Sequence, residues 1–217
     1  MTHVFAPGCA LMLYKPSHAE KVLGLLGDRF GEVLLHLTCC HHDPALPFGT
    51  TVINTCAGCD RRFRELYEGV STISLWEVLA SDETLSLPDY RGARMAIQDA
   101  CPTRTEPRVH EAVRRLLGRM NIEVVEPSAT RERAVCCGDS FYGELEVEAV
   151  KTLMRKRAES MPADDVVVYC VSCVKSTHIG GRTPRHLLDL VLAEQTDPQE
   201  FEPDAWHARL EEYIAAH

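Results

Sequence analysis

The sequence predicts an α/β protein: two duplicated α/β units with mostly parallel sheets, related by pseudo-twofold symmetry, plus a C-terminal helix. Three observations predict it. Segments of strand character alternate with segments of helical period, as in strand–helix–strand crossovers. The same order of segments occurs twice along the chain. All ten cysteines fall into two copies of one pattern, a lone cysteine, an adjacent pair and a C-x-x-C: Cys9, Cys39-Cys40 and Cys56-Ala-Gly-Cys59, then Cys101, Cys136-Cys137-Gly138 and Cys170-Val-Ser-Cys173.

In chain order, His3 to Phe5 leads into Cys9. Ser17-His-Ala-Glu20 reads as a capping box, and Val22, Leu23 and Leu26 continue an apolar face until Gly27. A strand over Val33 to Leu37 delivers Cys39-Cys40, Thr51 to Asn54 is a short strand ending at Cys56, and Arg61 to Tyr67 is helical. Val70 to Ile73 and Leu75 to Leu79 close the first half; Ser81 to Arg94, with Pro88 and Gly92, is the boundary. Met95 to Gln98 then runs into Cys101, and Val109, Val113, Leu116, Leu117 and Met120 recur at helical spacing. Ile122 to Val125 is the next strand, followed by a polar loop to Cys136-Cys137. Val147, Val150, Met154, Ala158 and Met161 mark a helix, with Lys151, Arg155 and Lys156 off its stripe. Asp165 to Tyr169 enters Cys170, and His186 to Leu192 parallels the close of the first half.

The expected organisation is a first, shortened unit over 1–88, a second over 93–195 and a helical tail over 196–217, where Trp206, Leu210, Tyr213 and Ile214 share a face. That tail is expected to pack on its own domain, the alternative being a docking face for a partner subunit. Between pair and C-x-x-C the first copy has 15 residues and the second 32; the excess matches the Val147–Met161 helix, which the first half is expected to lack. Each unit is thus expected to be Rossmann-like. Each cysteine group follows a strand, where parallel sheets place ligands, so three groups can converge on one point.

Five thiols per half cannot all pair as internal disulfides, whereas a metal cluster can use five. Structural zinc takes four ligands, and so does an ordinary cubane cluster. The adjacent pair is the informative element. Neighbouring side chains of an extended segment point to opposite sides, so consecutive thiolates suit a larger open cluster or a bridging thiolate unless the chain bends. His41 and His42 also allow a zinc or mixed Cys/His site in the first half. A thiol redox protein using only the C-x-x-C motifs would leave the other six cysteines unexplained.

At 217 residues and 45% hydrophobic composition the chain can bury a core without disulfide staples. Its formal charge of −9 argues against nucleic acid as partner. Met1 to Tyr14 lacks a basic n-region and is interrupted by Pro7-Gly8, and no apolar run reaches membrane-spanning length. A cytoplasmic protein without direct membrane insertion is expected.

The second copy resembles the CCG cysteine-rich domain found in the disulfide-cleaving subunit of heterodisulfide reductase, which also occurs in iron-sulfur subunits of glycolate and lactate oxidation and in related succinate dehydrogenase subunits. The resemblance extends to Pro7-Gly8-Cys9 and to Gln98-Asp99-Ala100-Cys101. It implies two noncubane 4Fe-4S clusters, one on Cys9, Cys39, Cys40, Cys56 and Cys59, the other on Cys101, Cys136, Cys137, Cys170 and Cys173. It further implies that the two together cleave a disulfide, one substrate sulfur going to each. His41 stands where the family has glycine after the pair, so the cover over the first cluster is expected to differ.

The resulting expectation is an iron-sulfur oxidoreductase delivering electrons to a disulfide or another sulfur-containing small molecule. Splitting that bond leaves thiolates that protonation releases; His41, His42, Asp139 and Tyr142 lie beside the pairs as proton candidates. With no C-x-x-C-x-x-C run and no G-x-G-x-x-G, the chain is expected to need a ferredoxin-like iron-sulfur protein as electron donor. An electron-relay role in a 2-hydroxy-acid oxidising complex, without a substrate of its own, is the alternative.

Overall fold

The computed structural model describes residues 2–199 and 202–217; Met1, and Glu200 and Phe201 within the tail expected over 196–217, lie outside the described residues. Among the described residues the chain forms two four-stranded sheets, each parallel throughout. It divides into two compact units, one running to Val78 and resumed by His207–His217, the other Leu79–Trp206. No described helix is long and apolar enough to cross a membrane.

In the first unit, β1 (His3–Ala6), β2 (Val33–Leu35), β3 (Thr51–Asn54) and β4 (Ser71–Ser74) take the order β2-β1-β3-β4. Val4 faces Leu34 on one side and Val52 on the other, and Ile53 faces Ile73. The interior strands β1 and β3 are buried nearly throughout, which a β-branched and aromatic run suits, whereas edge strand β2 leaves Leu34 and Leu35 exposed. The helices are α1 (Cys9–Tyr14), α2 (Ser17–Phe30), α3 (Ala57–Leu66) and α4 (Leu75–Ser81).

Two expectations are corrected in α2. Ser17 does not cap it: Pro16 already has helical φ −59° and ψ −31°, and no side-chain cap hydrogen bond forms. Proline at a helix start is pre-set for this conformation, which moves Ser17 inside the first turn. Nor does Gly27 end the helix. It continues to Phe30 and stops at Gly31, whose φ of 76° and N–H bond to Gly27 O, 2.9 Å, close the last turn.

The second unit repeats the order as β6-β5-β7-β8, with β5 (Ala93–Gln98), β6 (Ile122–Val125), β7 (Asp165–Val168) and β8 (Thr183–His186). Helix α5 (Pro107–Arg119) follows β5 and buries Val109, Val113, Leu116 and Leu117 on one stripe. Each such side chain contributes roughly 1.5–3 kcal/mol by leaving water. Helix α6 (Val147–Glu159) lies between the cysteine pair and β7, followed by α7 (Val171–Ile179) and α8 (Leu187–Val191). In the first unit the corresponding stretch, from Cys40 to β3, contains no helix.

The division at Val78 falls ahead of the glycine- and proline-containing linker because Arg119 of α5 holds that segment. Its guanidinium donates to the carbonyls of Leu79, Asp82 and Leu85, at 3.4, 2.8 and 2.7 Å. Helix α9 (Pro203–Ala216) ends the chain. Trp206 near its start is buried in the second unit, while Arg209 and the last residues belong to the first, Arg209 Nη2 donating to Leu13 O at 3.4 Å.

Candidate metal centre

In an open parallel sheet, ligands bind at the carboxyl ends of the strands where the strand order reverses. In the first unit that point lies between β1 and β3, and these strands run into Cys9 and Cys56. In the second it lies between β5 and β7, which run into Cys101 and Cys170. The cysteine pairs arrive from the loop after the neighbouring edge strand. All ten cysteines are free thiols.

Within the first unit the sulfurs form one chain of contacts, Cys9 to Cys39 to Cys40 to Cys59 to Cys56. In the second the chain is Cys101 to Cys136 to Cys137 to Cys173 to Cys170. The two correspond position for position. Cys40 and Cys9 donate to Cys39, and Cys101 and Cys137 to Cys136, so the first thiol of each pair is held well below the usual thiol range. These contacts and burial push Cys59 and Cys173 up. The Cys59 thiol, with the Gly58 and Cys59 amides, brings Cys56 down to about 7 against the opposing effects of burial and Asp60. Cys56 is the N-terminal cap residue of α3, where unpaired amides favour a thiolate.

The chain bends at each pair. His42 N–H bonds Cys39 O at 2.9 Å, closing a turn through Cys40 and His41. The Cys40 carbonyl accepts from Arg62 Nε and Tyr67 Oη, each at 3.0 Å, and Cys39 N–H bonds His217 O at 3.1 Å. In the second unit Gly138 N–H bonds Cys136 Sγ at 3.3 Å, and Cys136 Sγ contacts Ser140 Oγ at 2.9 Å. The His41 amide bonds Cys39 in the same way.

Two glycines allow the close approaches. Gly8, with φ 79°, precedes Cys9, and a Cβ there would lie 3.2 Å from Cys56 Cβ and 3.4 Å from Cys59 Sγ. Gly138, with φ 112°, turns the chain after the second pair against α6, where a Cβ would lie 2.8 Å from Met154 Cγ and 3.0 Å from its backbone nitrogen. The first unit has no such helix and His41 does not take positive φ, so the residue after its pair is under neither constraint.

The second site has a polar framework that sequence reasoning missed. Gln98 Nε2 donates to Val135 O at 3.0 Å, just before the pair. The buried Asp99 carboxylate accepts from Arg114 Nη1 and Nη2 (3.0 and 2.8 Å), Thr130 Oγ1 (2.8 Å), Arg131 N (2.8 Å) and Tyr169 Oη (3.0 Å). Asp99, two residues before Cys101, is thereby tied to Tyr169, directly before Cys170, and to Thr130 and Arg131 in the loop that leads to Cys136. Burial pushes the Asp99 carboxyl up, but Arg114 and the Arg131 and Thr130 donors outweigh it and hold it well below the usual carboxylate range. The only sign in sequence was Gln98-Asp99 itself, a polar pair at the end of an apolar strand.

Of the proton candidates, His41 and His42 are exposed, and a His42 ring nitrogen meets Ile214 O at 2.7 Å. Asp139 is buried and pairs with Lys175 Nζ at 3.1 Å. That ammonium, 1% exposed in its side chain, lies 4.7 Å from the centre of the Trp206 ring. Tyr142 Oη donates to Asp204 at 2.7 Å.

The two sulfur chains differ in access. A cavity of about 340 Å³ opens beside Cys136, walled by Val135, Phe141, Leu153, Lys156 and Arg157 among others. The cavity against Cys9, Cys39, Cys40 and Cys59 is about 10 Å³, with Tyr213 of α9 in its wall, at most room for one water.

Residues 95–176 match the CCG cysteine-rich domain family. No curated protein sequence matches the chain. Among solved structures it is similar to the glutamate racemase isoform RacE1 from Bacillus anthracis, at 8% identity and TM-score 0.37 over 89% of this chain and 79% of that one. It is also similar to the Picrophilus torridus aspartate racemase, at 9% identity and TM-score 0.35 over 98% of each chain. Likenesses this loose bear on neither fold nor function. The CCG domain and the cysteine clusters point to iron-sulfur or other metal-binding redox chemistry.

Proposed function

We propose that each unit holds a 4Fe-4S cluster, of noncubane form, on its five cysteines, and that the protein is a redox component of the kind that cleaves the disulfide in heterodisulfide reductase. One observation carries this reading: two chains of five sulfurs, each sulfur contacting the next, matched residue for residue at the switch points of two sheets of one topology. Five thiols exceed what one zinc ion takes. The His42 ring meets the Ile214 carbonyl, which leaves His41 as the histidine of a mixed Cys/His zinc alternative in that unit.

When bound, such a cluster supplies single electrons and an iron able to take a sulfur ligand. The chain's own residues shape what approaches. Val135, Phe141 and Leu153 give the cavity at Cys136 apolar walls that fit the carbon skeleton of a small thiol or disulfide, with Lys156 as a cation at its rim. Asp139 and the Lys175 ammonium beside it form a buried acid–base pair next to the second cysteine pair, and we assign proton delivery in that unit to them. His41 is the corresponding exposed candidate in the first unit. Electrons come from a partner in this reading, a ferredoxin-like iron-sulfur protein, because the chain carries no dinucleotide fingerprint and no C-x-x-C-x-x-C run. We place the protein in the cytoplasm.

The first site has a cavity of only about 10 Å³, too small for a substrate, which favours a relay role for that unit, and the alternative of an electron relay in a 2-hydroxy-acid oxidising complex rests on that observation. The test is composition followed by turnover. About eight irons per chain with brown visible absorption supports two clusters, and a colourless zinc-loaded protein overturns the reading. Disulfide-dependent oxidation of a reduced viologen by cluster-replete protein then supports the reductase; its absence selects the relay.

A further inference from the structure

We infer that Arg157 is the built-in counter-ion of the second cysteine site and makes a cluster bound there the more readily reduced of the two. The inference rests on the reading of both sites as iron-sulfur centres. Arg157 is 6% exposed. Its guanidinium donates to neutral oxygens: Nε to Gln98 Oε1 at 2.5 Å, Nη1 to Ser160 Oγ at 3.2 Å and Nη2 to Ala129 O at 2.9 Å. A guanidinium keeps its charge at any working pH, and burying one without an anion is strongly unfavourable. The acidic groups it interacts with are the Cys173, Cys137 and Cys136 thiols, together with Asp99, which shares the Arg114 guanidinium with Glu126. Arg157 also shares with Cys136 the wall of the 340 Å³ cavity. Ligated as thiolates, the sulfurs of the second site are therefore, with Asp99, its counter-charge.

The first unit lacks this device because Arg157 belongs to α6, which has no counterpart there. Its deeply buried charge has the opposite sign and is only partly offset, because its partner Arg64 is 41% exposed in its side chain and screened by water. Asp60 is 5% exposed, follows Cys59 and acts on Cys56; Arg64 and the Thr72 hydroxyl, at 2.6 Å, hold it. Arg62 bonds the Cys40 carbonyl but is half-buried, so water screens it. In the second unit Lys175 and Asp139 form a pair with no net charge.

Reduction adds one negative charge to a cluster, and an unscreened cation beside it favours the reduced form. An electron given up by the donor, which is oxidised by one electron, thus comes to rest on the second cluster, the one beside the large cavity. The positive charge sits where a ligand can meet the reduced centre.

The test is a redox titration of cluster-loaded protein followed by electron paramagnetic resonance, after iron analysis has shown both sites filled. Cys9→Ser and Cys101→Ser each remove one ligand and so assign the signals. The signal affected by Cys101→Ser is expected to reduce at the higher potential. Arg157→Gln should lower that midpoint and leave the other signal in place, Arg157→Lys should restore much of it, and Asp60→Asn should raise only the first-site midpoint. If Arg157→Gln does not fold, Arg157→Lys and Asp60→Asn on wild-type background still decide the order. A reversed order, or an Arg157 variant that moves both signals equally or neither, overturns the inference alone. Iron missing from either unit overturns the underlying reading as well.

Discussion

Gly138 and Met154 meet so closely that a Cβ on the glycine would come 2.8 Å from Met154 Cγ and 3.0 Å from its backbone nitrogen. The glycine after the second cysteine pair is thus set by a helix that packs on the turn, as well as by a φ of 112°. Gly138→Ala is expected to destabilise the protein by about 2 kcal/mol, from backbone strain and overpacking together. His41→Gly, at the matching position of the first unit, should change stability by less than about 1 kcal/mol. Thermal unfolding of the two variants checks this; equal effects would sink the explanation.

Arg114 anchors the buried Asp99 carboxylate, with side chains 12% and 0% exposed. Arg114→Met leaves that charge without its cation, and a loss of roughly 3–5 kcal/mol is expected. Asp99→Asn with Arg114→Met should recover part of it, as a double-mutant cycle would measure.

The same pair sets an acid limit. Asp99 is held below the usual carboxylate range despite burial, and Arg114 also lowers Glu126. A depressed folded-state pKa contributes stability that is present above the unfolded value of about 4 and is lost as pH falls through the lower folded value. Thermal midpoints of metal-free protein should hold above about pH 5 and drop below about pH 4. In Arg114→Met the acid drop should be shallower; an equally steep drop would place the titrating groups elsewhere.

Lys175 and Asp139 are a buried pair at 3.1 Å. Lys175→Met is expected to cost about 3–5 kcal/mol because Asp139 is left charged and dry, whereas Lys175→Met with Asp139→Leu should cost clearly less. Chemical denaturation of the single and double variants tests this, and strict additivity would argue against the pair.

Tyr213 walls the small cavity at the first sulfur chain, and burial together with Cys9 and Cys39 raises its own pKa. Tyr213→Ala should open that site, so that a chelator strips first-site metal several-fold faster while second-site metal leaves at its former rate. Unchanged kinetics would show that Tyr213 is not the cover.

Much of the architecture was legible because it is local. Hydrophobic period and β-branched runs mark the strands and helices, and the position of every cysteine group after a strand places the groups at one edge of a parallel sheet. Ser17 shows the limit of local patterns, since S-x-x-E reads the same whether the serine is the cap or lies one residue inside it, and the helical φ/ψ of Pro16 decided that. Arg157 shows a deeper limit. In sequence it stands beside Lys156 and Arg155 and looks like one more solvated cation; its burial depends on Gln98, 59 residues away, and on a carbonyl at Ala129.

The sequence by itself determined that ten thiols come as two quintets at strand ends, because strand period and residue spacing are properties of the chain alone. Only the tertiary structure decided that the two sites differ, one with a cavity of about 10 Å³ walled in part by Tyr213, the other opening on a cavity with a buried guanidinium in its wall. Burial and electrostatic environment are set by groups distant along the chain, and a charge acquires its strength only where folding has removed the water around it.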